Sequence, residues 1–235
     1  MNLQEWIKKG EPLNSFLNCD CMEFMKDMPD KYFDLCIVDP PYGIGASNDA
    51  RLSGFYTINM GGKKTKVSAN NYKKKEWDYA IPDKKYFEEL FRISKNQIIW
   101  GGNYFIKYLK NTSCFVVWDK DNGENNNADC ELAWTSFKTA VRKFKWRWNG
   151  LLQENMKEKQ VRIHPTEKPI QLYRWLLQNY AKPGYKIFDS HVGSGSSIIA
   201  CILEDYSYIG CELDKDYYKS AEDRIEQYKA QGRLF

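Results

Sequence analysis

Asp39-Pro40-Pro41-Tyr42 is the most chemically loaded stretch of the 235-residue chain, and it closes the apolar run Asp34-Leu35-Cys36-Ile37-Val38. An apolar run of this length reads as a buried strand. Neither proline has an N–H, so the ladder stops there and the chain turns with fixed φ. The Asp39 carboxylate and the proline carbonyls accept hydrogen bonds, and Tyr42 adds a flat ring. Such a surface suits a planar ligand with an exocyclic amino group: two acceptors for the amine and a ring for the base.

A second constellation lies in Lys186-Ile187-Phe188-Asp189-Ser190-His191-Val192-Gly193-Ser194-Gly195-Ser196, which reads as strand, glycine turn and helix. Gly193 and Gly195 let backbone approach a ligand closely. A helix starting near Ser196 presents free N–H groups. The next strand ends in Glu212, placed for the hydroxyls of a ribose. A nucleotide-dependent oxidoreductase would carry a similar turn, but the dinucleotide fingerprint needs a third glycine where this chain has Ile198. The turn therefore suits a ligand without a pyrophosphate, such as S-adenosylmethionine.

These motifs resemble those of the beta group of DNA amino-methyltransferases, which act on adenine N6. Asp39, Pro40, Pro41 and Tyr42 match the family's catalytic motif. The cofactor motif, Asp-Pro-Phe-x-Gly-Ser-Gly-Thr in the family, keeps Asp189, Gly193, Ser194 and Gly195. It departs at Ser190, His191 and Ser196. His164-Pro165-Thr166-Glu167-Lys168-Pro169 matches a segment beside the cofactor's methionine end, which implies Thr166 and Lys168 as carboxylate ligands. Asp20 and Cys21 match the segment that contacts the cofactor's adenine. His191 takes the place of an aromatic that packs on the cofactor, and His164 reads as structural. The catalytic motif precedes the glycine turn, the permuted order of the beta group.

The resemblance implies direct transfer of a methyl group from S-adenosylmethionine to a flipped-out adenine in DNA. Asp39 would take one N6 hydrogen and the Pro40 carbonyl the other, with Tyr42 stacked on the base. Adenine in RNA and cytosine N4 are the neighbouring readings; Asp rather than Ser at 39 favours adenine. A catalytically silent nucleic-acid-binding module is a reading of another class, disfavoured by intact Asp39 and Glu212. A homodimer is implied by the resemblance alone. The length leaves no room for a nuclease domain; the enzyme would either partner a separate restriction endonuclease or act alone.

The elements needed to position these residues are legible. Seven strands are expected, at Ser15–Cys19, Asp34–Asp39, Gln97–Trp100, Cys114–Trp118, Glu131–Phe137, Lys186–Asp189 and Ser207–Glu212. Helical stripes lie at Tyr86/Leu90 with Phe87/Phe91, at Leu172/Trp175/Leu176/Tyr180 after Pro169 at the first helical position, and at Tyr218/Ala221/Ile225/Tyr228. The alternation predicts one α/β domain over residues 1–235, a Rossmann-like doubly wound seven-stranded and mostly parallel sheet. That topology would bring Asp39 and Gly193 to one sheet edge.

Charge is mild overall at +4 but is concentrated. Residues 43–82 form a polar insertion carrying Lys63, Lys64, Lys66, Lys73, Lys74 and Lys75. Arg142, Lys143, Lys145 and Arg147 alternate with aromatics inside 138–163, a short interval that matches the family's target-recognition position. These cations are candidates for phosphate contacts, with Trp146 or Trp148 meeting a base or packing inward. Seven scattered cysteines without a Cys-x-x-Cys pair, and only two histidines, argue against a structural zinc site. Cys36, Cys114, Cys201 and Cys211 read as buried apolar residues of a reducing compartment. Neither a signal peptide nor a membrane span is evident, so a cytoplasmic protein without membrane partners is expected.

Overall fold

The computed structural model describes residues 1–10, 12–45, 55–60, 63–68, 75, 78–122, 128–148, 152–157 and 159–232. The seven expected strands are present: β1 (Ser15–Asn18), β2 (Phe33–Val38), β5 (Ser94–Trp100), β6 (Phe115–Asp119), β7 (Cys130–Thr135), β9 (Lys186–Asp189) and β10 (Ser207–Glu212). Among the described residues the main sheet has an eighth strand, β8 (Arg142–Lys145), at its edge. The basic-aromatic alternation read as a DNA surface is thus also a strand pattern, with Phe144 turned toward the core. Inside the 43–82 insertion, β3 (Phe55–Met60) and β4 (Lys63–Ser68) pair as a separate antiparallel hairpin. Lys63, Lys64 and Lys66 lie on β4; Lys73 and Lys74 fall outside the described residues.

The sheet order is β1-β10-β9-β2-β5-β7-β6-β8. Strands β1 through β5 in that order pair in parallel, whereas β7 runs antiparallel to both of its neighbours. The order reverses between β9 and β2: from β9 the chain proceeds to β10 on one side, and from β2 to β5 on the other. Ligands bind at such a switch point, outside the carboxyl ends of the strands. Leu35 pairs with Ile187 and Cys36 with Phe188, which brings the Asp39 segment beside the glycine turn despite their distance in sequence.

Strand pleating sends alternate side chains into two cores. Leu35 and Ile37 pack with α4 (Ile170–Tyr180), α5 (Ser196–Leu203) and Ile225 of α6 (Lys215–Gly232). Cys36 and Val38 pack on the opposite face with Trp6 of α1 (Leu3–Lys8), α2 (Cys21–Lys26) and α3 (Lys84–Ile93). Helix α3 begins where Asp83 accepts the Tyr86 N–H at 3.1 Å and buries Tyr86, Phe87, Leu90 and Ile93. Pro169 is the N-cap of α4 rather than its first helical residue. The cysteines at 36, 114, 201 and 211 are buried and free. Among the described residues no helix is long and apolar enough to cross a membrane.

Candidate active site

Two cavities meet at the carboxyl ends of β2 and β9. The larger, about 750 Å³, is lined by the ends of β1, β9 and β10, by Ala80–Asp83 and by the 164–168 segment. The smaller, about 450 Å³, lies beyond Pro40 and Tyr42, against Gly101–Tyr104 and Cys130–Leu132. Asp39, Pro41, Thr166 and Lys168 line both.

The larger cavity is built by backbone turns held from below. Gly193 adopts φ +55° and donates its N–H to Glu212 Oε2 at 2.9 Å. The other Glu212 oxygen accepts the Asp214 N–H at 2.9 Å, which leaves the acid fixed at the cavity wall. Asp20 caps α2 by accepting the Met22 N–H at 2.7 Å and faces the same space, as does Cys21. His191 lines the cavity with Nδ1 2.8 Å from Ser190 Oγ, which in turn lies 2.7 Å from the Tyr86 hydroxyl. Burial lowers His191 to about 4, so it is neutral at physiological pH. His164 stands edge-on to Tyr217, and burial lowers it to about 3.

Three of the expected cofactor residues are placed differently. Asp189 sits behind the glycine turn, accepting the Ser197 hydroxyl at 2.5 Å and the His191 N–H at 3.0 Å. Ser196 is buried, and Arg224 donates to its Oγ and to the Ser194 carbonyl, so this helix start faces Arg224 rather than the cavity. Gly195 packs against Ala221 and Ile225 of α6 with φ +82°. Short-range spacing marked the turn but could not say which of its residues support it from behind.

Lys168 is the larger surprise. It was expected beside the cofactor's carboxylate, yet its ammonium is buried at 3% exposure and bonded to Asp39 Oδ2. It also lies 3.2 Å from the Tyr42 hydroxyl and 3.1 Å from Glu131 Oε2. Glu131 Oε1 completes the network at 2.5 Å from Lys120. Two carboxylates and two ammonium groups thus balance in charge. Burial pushes Glu131 up, but Lys168 and Lys120 overcome it and hold the carboxyl at about 2. Burial also pushes Lys168 down, and Asp39 and Glu131 reverse this, so it stays charged. Among the described residues Asp39 has Lys168 as its one cationic partner and a like charge in Glu131; burial keeps its carboxyl above the ordinary range.

Tyr42 was expected to offer an open ring. Its hydroxyl instead donates to Asp39 Oδ1 at 2.6 Å, and Tyr104 stacks on it with centroids 4.9 Å apart and 17° between planes. Tyr104 keeps 41% exposure, so the pair forms an aromatic wall of the smaller cavity. Thr166 lines both cavities, with Oγ1 3.2 Å from His164 Nδ1. Lys120, Glu131, Asn103 and Tyr104 belong to the site without having been anticipated; each comes from a strand or loop with no local motif.

The basic residues also divide. Lys75 bonds Asp214 at 2.5 Å and Asp216 at 3.0 Å beside the larger cavity, with its side chain only 15% exposed, so it is not a free phosphate contact. Lys143 pairs with Asp119, and Lys145 and Arg147 pair with Asp121, which offsets much of their charge. Arg142 is exposed on the edge strand. Trp146 stacks on Phe144, and Trp148 is buried and donates to the Glu167 carbonyl at 2.7 Å, so both pack inward.

The doubly wound sheet and the two adjoining cavities, which share Asp39, Pro41, Thr166 and Lys168, give neighbouring spaces for two ligands. The chain belongs to the DNA methylase family, whose model matches residues 65–223. It is 24% identical to the type II methyltransferase M.HinfI of Haemophilus influenzae, over 92% of this chain and 69% of that protein. It is 22% identical to the type II methyltransferase M2.DpnII of Streptococcus pneumoniae, over 89% of this chain and 88% of that one. The crystal structure of the M1.HpyAVI–SAM complex shares the fold, with a TM-score of 0.51 and 20% identity over 89% of this chain and 98% of that one.

Proposed function

We propose that this DNA methyltransferase transfers the methyl group of S-adenosylmethionine to N6 of an adenine flipped out of duplex DNA. The observation that carries the reading is the junction of the two cavities at Asp39. The larger has a volume suited to a nucleoside-sized ligand. Its acids at Asp20, Glu212, Asp214 and Asp39 suit a ligand with hydroxyls, an amine and a cationic centre. S-adenosylmethionine, when bound, supplies a methyl group made electrophilic by its sulfonium. Glu212 and Asp20 would hold the adenosine part, while Val192, Gly193 and Ser194 give it a close backbone surface.

The smaller cavity receives the base. An amino group conjugated with a ring is a weak nucleophile because its lone pair is delocalised. Asp39 and the Pro40 carbonyl accept its two hydrogens, which favours a pyramidal nitrogen with its lone pair free. The carboxylate also stabilises the positive charge that grows on nitrogen, and it does so from a buried, preorganised position. The Tyr42–Tyr104 wall packs against the base. A base within the duplex cannot reach Asp39, so extrusion is required. Phosphate contacts are assigned to Arg142 and to Lys63, Lys64 and Lys66 of the hairpin. M.HinfI and M2.DpnII are named as type II enzymes, which supports a separate cognate endonuclease for this chain as well.

The test is methyl transfer from labelled S-adenosylmethionine to mixed-sequence duplex DNA and, separately, RNA, read by nucleoside mass analysis. The expected product is N6-methyldeoxyadenosine, and Asp39→Ala is expected to abolish it while remaining folded. N4-methyldeoxycytidine, product from RNA alone, or full activity of the variant would each overturn the reading.

A further inference from the structure

The target-base cavity contains one ammonium placed between two carboxylates, and the second carboxylate has no place in the reaction described so far. Lys168 Nζ bonds Asp39 Oδ2 and stands 3.1 Å from Glu131 Oε2. The Glu131 oxygen is buried, and among the described residues it has no well-aligned hydrogen bond, although the Lys168 ammonium stands within ion-pair distance. Its sister oxygen is anchored by Lys120 at 2.5 Å, so the carboxylate is held in place. Asp39, by contrast, already has a donor on each oxygen, Tyr42 on Oδ1 at 2.6 Å and Lys168 on Oδ2.

An incoming amino group therefore meets a competitor. It needs a lone pair of Asp39 that is aimed into the smaller cavity, and an ammonium beside it opposes the positive charge that develops on the nitrogen. Expelling Lys168 into the cavity would leave a buried charge without a partner, which is costly. A landing site of opposite charge removes that cost. The Trp100 and Tyr42 rings, with centroids 5.4 Å and 5.6 Å from Nζ, keep the ammonium favourably surrounded near both carboxylates.

We propose that Glu131 is a positioning residue that takes Lys168 from Asp39 when the target base enters, freeing the acceptor oxygen and drawing the positive charge away from the reacting nitrogen. No proton or bond changes hands in this step; one hydrogen bond is exchanged for another. The inference rests on the reading that the smaller cavity holds the base.

The experiment compares wild type, Glu131→Gln, Lys168→Gln and the double variant. Single-turnover methyl transfer, thermal unfolding and calorimetric binding of S-adenosylmethionine are measured on each. In Glu131→Gln the lysine has Asp39 alone, and the rate is expected to fall about 100-fold. Cofactor affinity should stay within about twofold, a level below the energy of a single typical hydrogen bond. Removing the trapped lysine should then help: the double variant is expected to be about tenfold faster than Glu131→Gln, a coupling within the usual range for contacting residues. A double variant no faster than Glu131→Gln would overturn the proposal, because a static structural pair gives that result. If Glu131→Gln does not fold, Glu131→Asp serves instead, with an intermediate rate expected and a wild-type rate refuting. The choice of substrate is judged separately, by the wild-type product: N4-methyldeoxycytidine or product from RNA alone would overturn adenine in DNA as the target and leave the rate comparison to decide the exchange.

Discussion

Replacing Gly101 by alanine tests whether Tyr42 is held as the structure shows. Gly101 has φ +69°, and a Cβ built there would lie 2.2 Å from Tyr42 Cε1 and 2.6 Å from Cδ1. The left-handed backbone costs a non-glycine residue about 1–2 kcal/mol. The clash adds about 1–3 kcal/mol, as overpacking does, because the ring cannot simply rotate away. Its hydroxyl is bonded to Asp39, its face is stacked on Tyr104, and its edge meets Phe105. The combined destabilisation is about 2–5 kcal/mol. Gly184 is the matched control: its φ is +83°, but an added Cβ meets nothing within 4 Å. Gly184→Ala should therefore lose only the backbone part, about 1–2 kcal/mol. To clear the clash the ring must move by roughly an ångström, a misplacement that typically costs about 100-fold in rate. Urea unfolding and methyl-transfer rates on the two variants decide the matter. If Gly101→Ala matches Gly184→Ala in both stability and rate, Tyr42 is not packed against Gly101 and the reasoning fails.

Two further outcomes follow from the same geometry. Tyr42→Phe removes the hydroxyl that donates to Asp39 and should slow transfer about tenfold, as loss of a hydrogen bond to a charged group does. Tyr42→Ala also removes the aromatic wall and should be slower still; equal rates in the two variants would count against a base packed on that wall. Asp189 is raised to about 7 by burial, against the hydrogen bonds from the Ser197 hydroxyl and the His191 N–H that lower it. Its neutral form is thus favoured on folding, so its contribution to stability is full below pH 4 and is lost as pH rises through about 7. The loss is about 4 kcal/mol. Asp189→Asn should flatten that part of the pH dependence in denaturant titrations at pH 4 to 8, and an unaltered slope would show that Asp189 is ionised throughout.

The amino-acid sequence determined those parts of the site that one stretch of backbone builds. Asp39 at the end of an apolar run, the Gly193–Gly195 turn and Glu212 at the tip of the next strand each need only local geometry. Residue type and spacing therefore declare them. The same holds for seven of the main sheet's eight strands, whose runs are short and bounded by turn residues, but not for β8, whose alternating cations and aromatics read equally as a basic surface. Tertiary structure alone decided the partners. Lys168 reaches Asp39 from 129 residues away, and a long flexible side chain carries no mark of which carboxylate it will find. Glu131 and Lys120 meet it because β7 and β6 lie beyond β5 in the sheet, an order that no local pattern encodes. Tyr104 covers Tyr42 because Gly101 permits a left-handed turn at the end of β5. Lys75, read as one of a basic run, turns inward to Asp214 for the same reason: charge in a sequence has a sign, but its destination depends on which opposite charge the fold brings near.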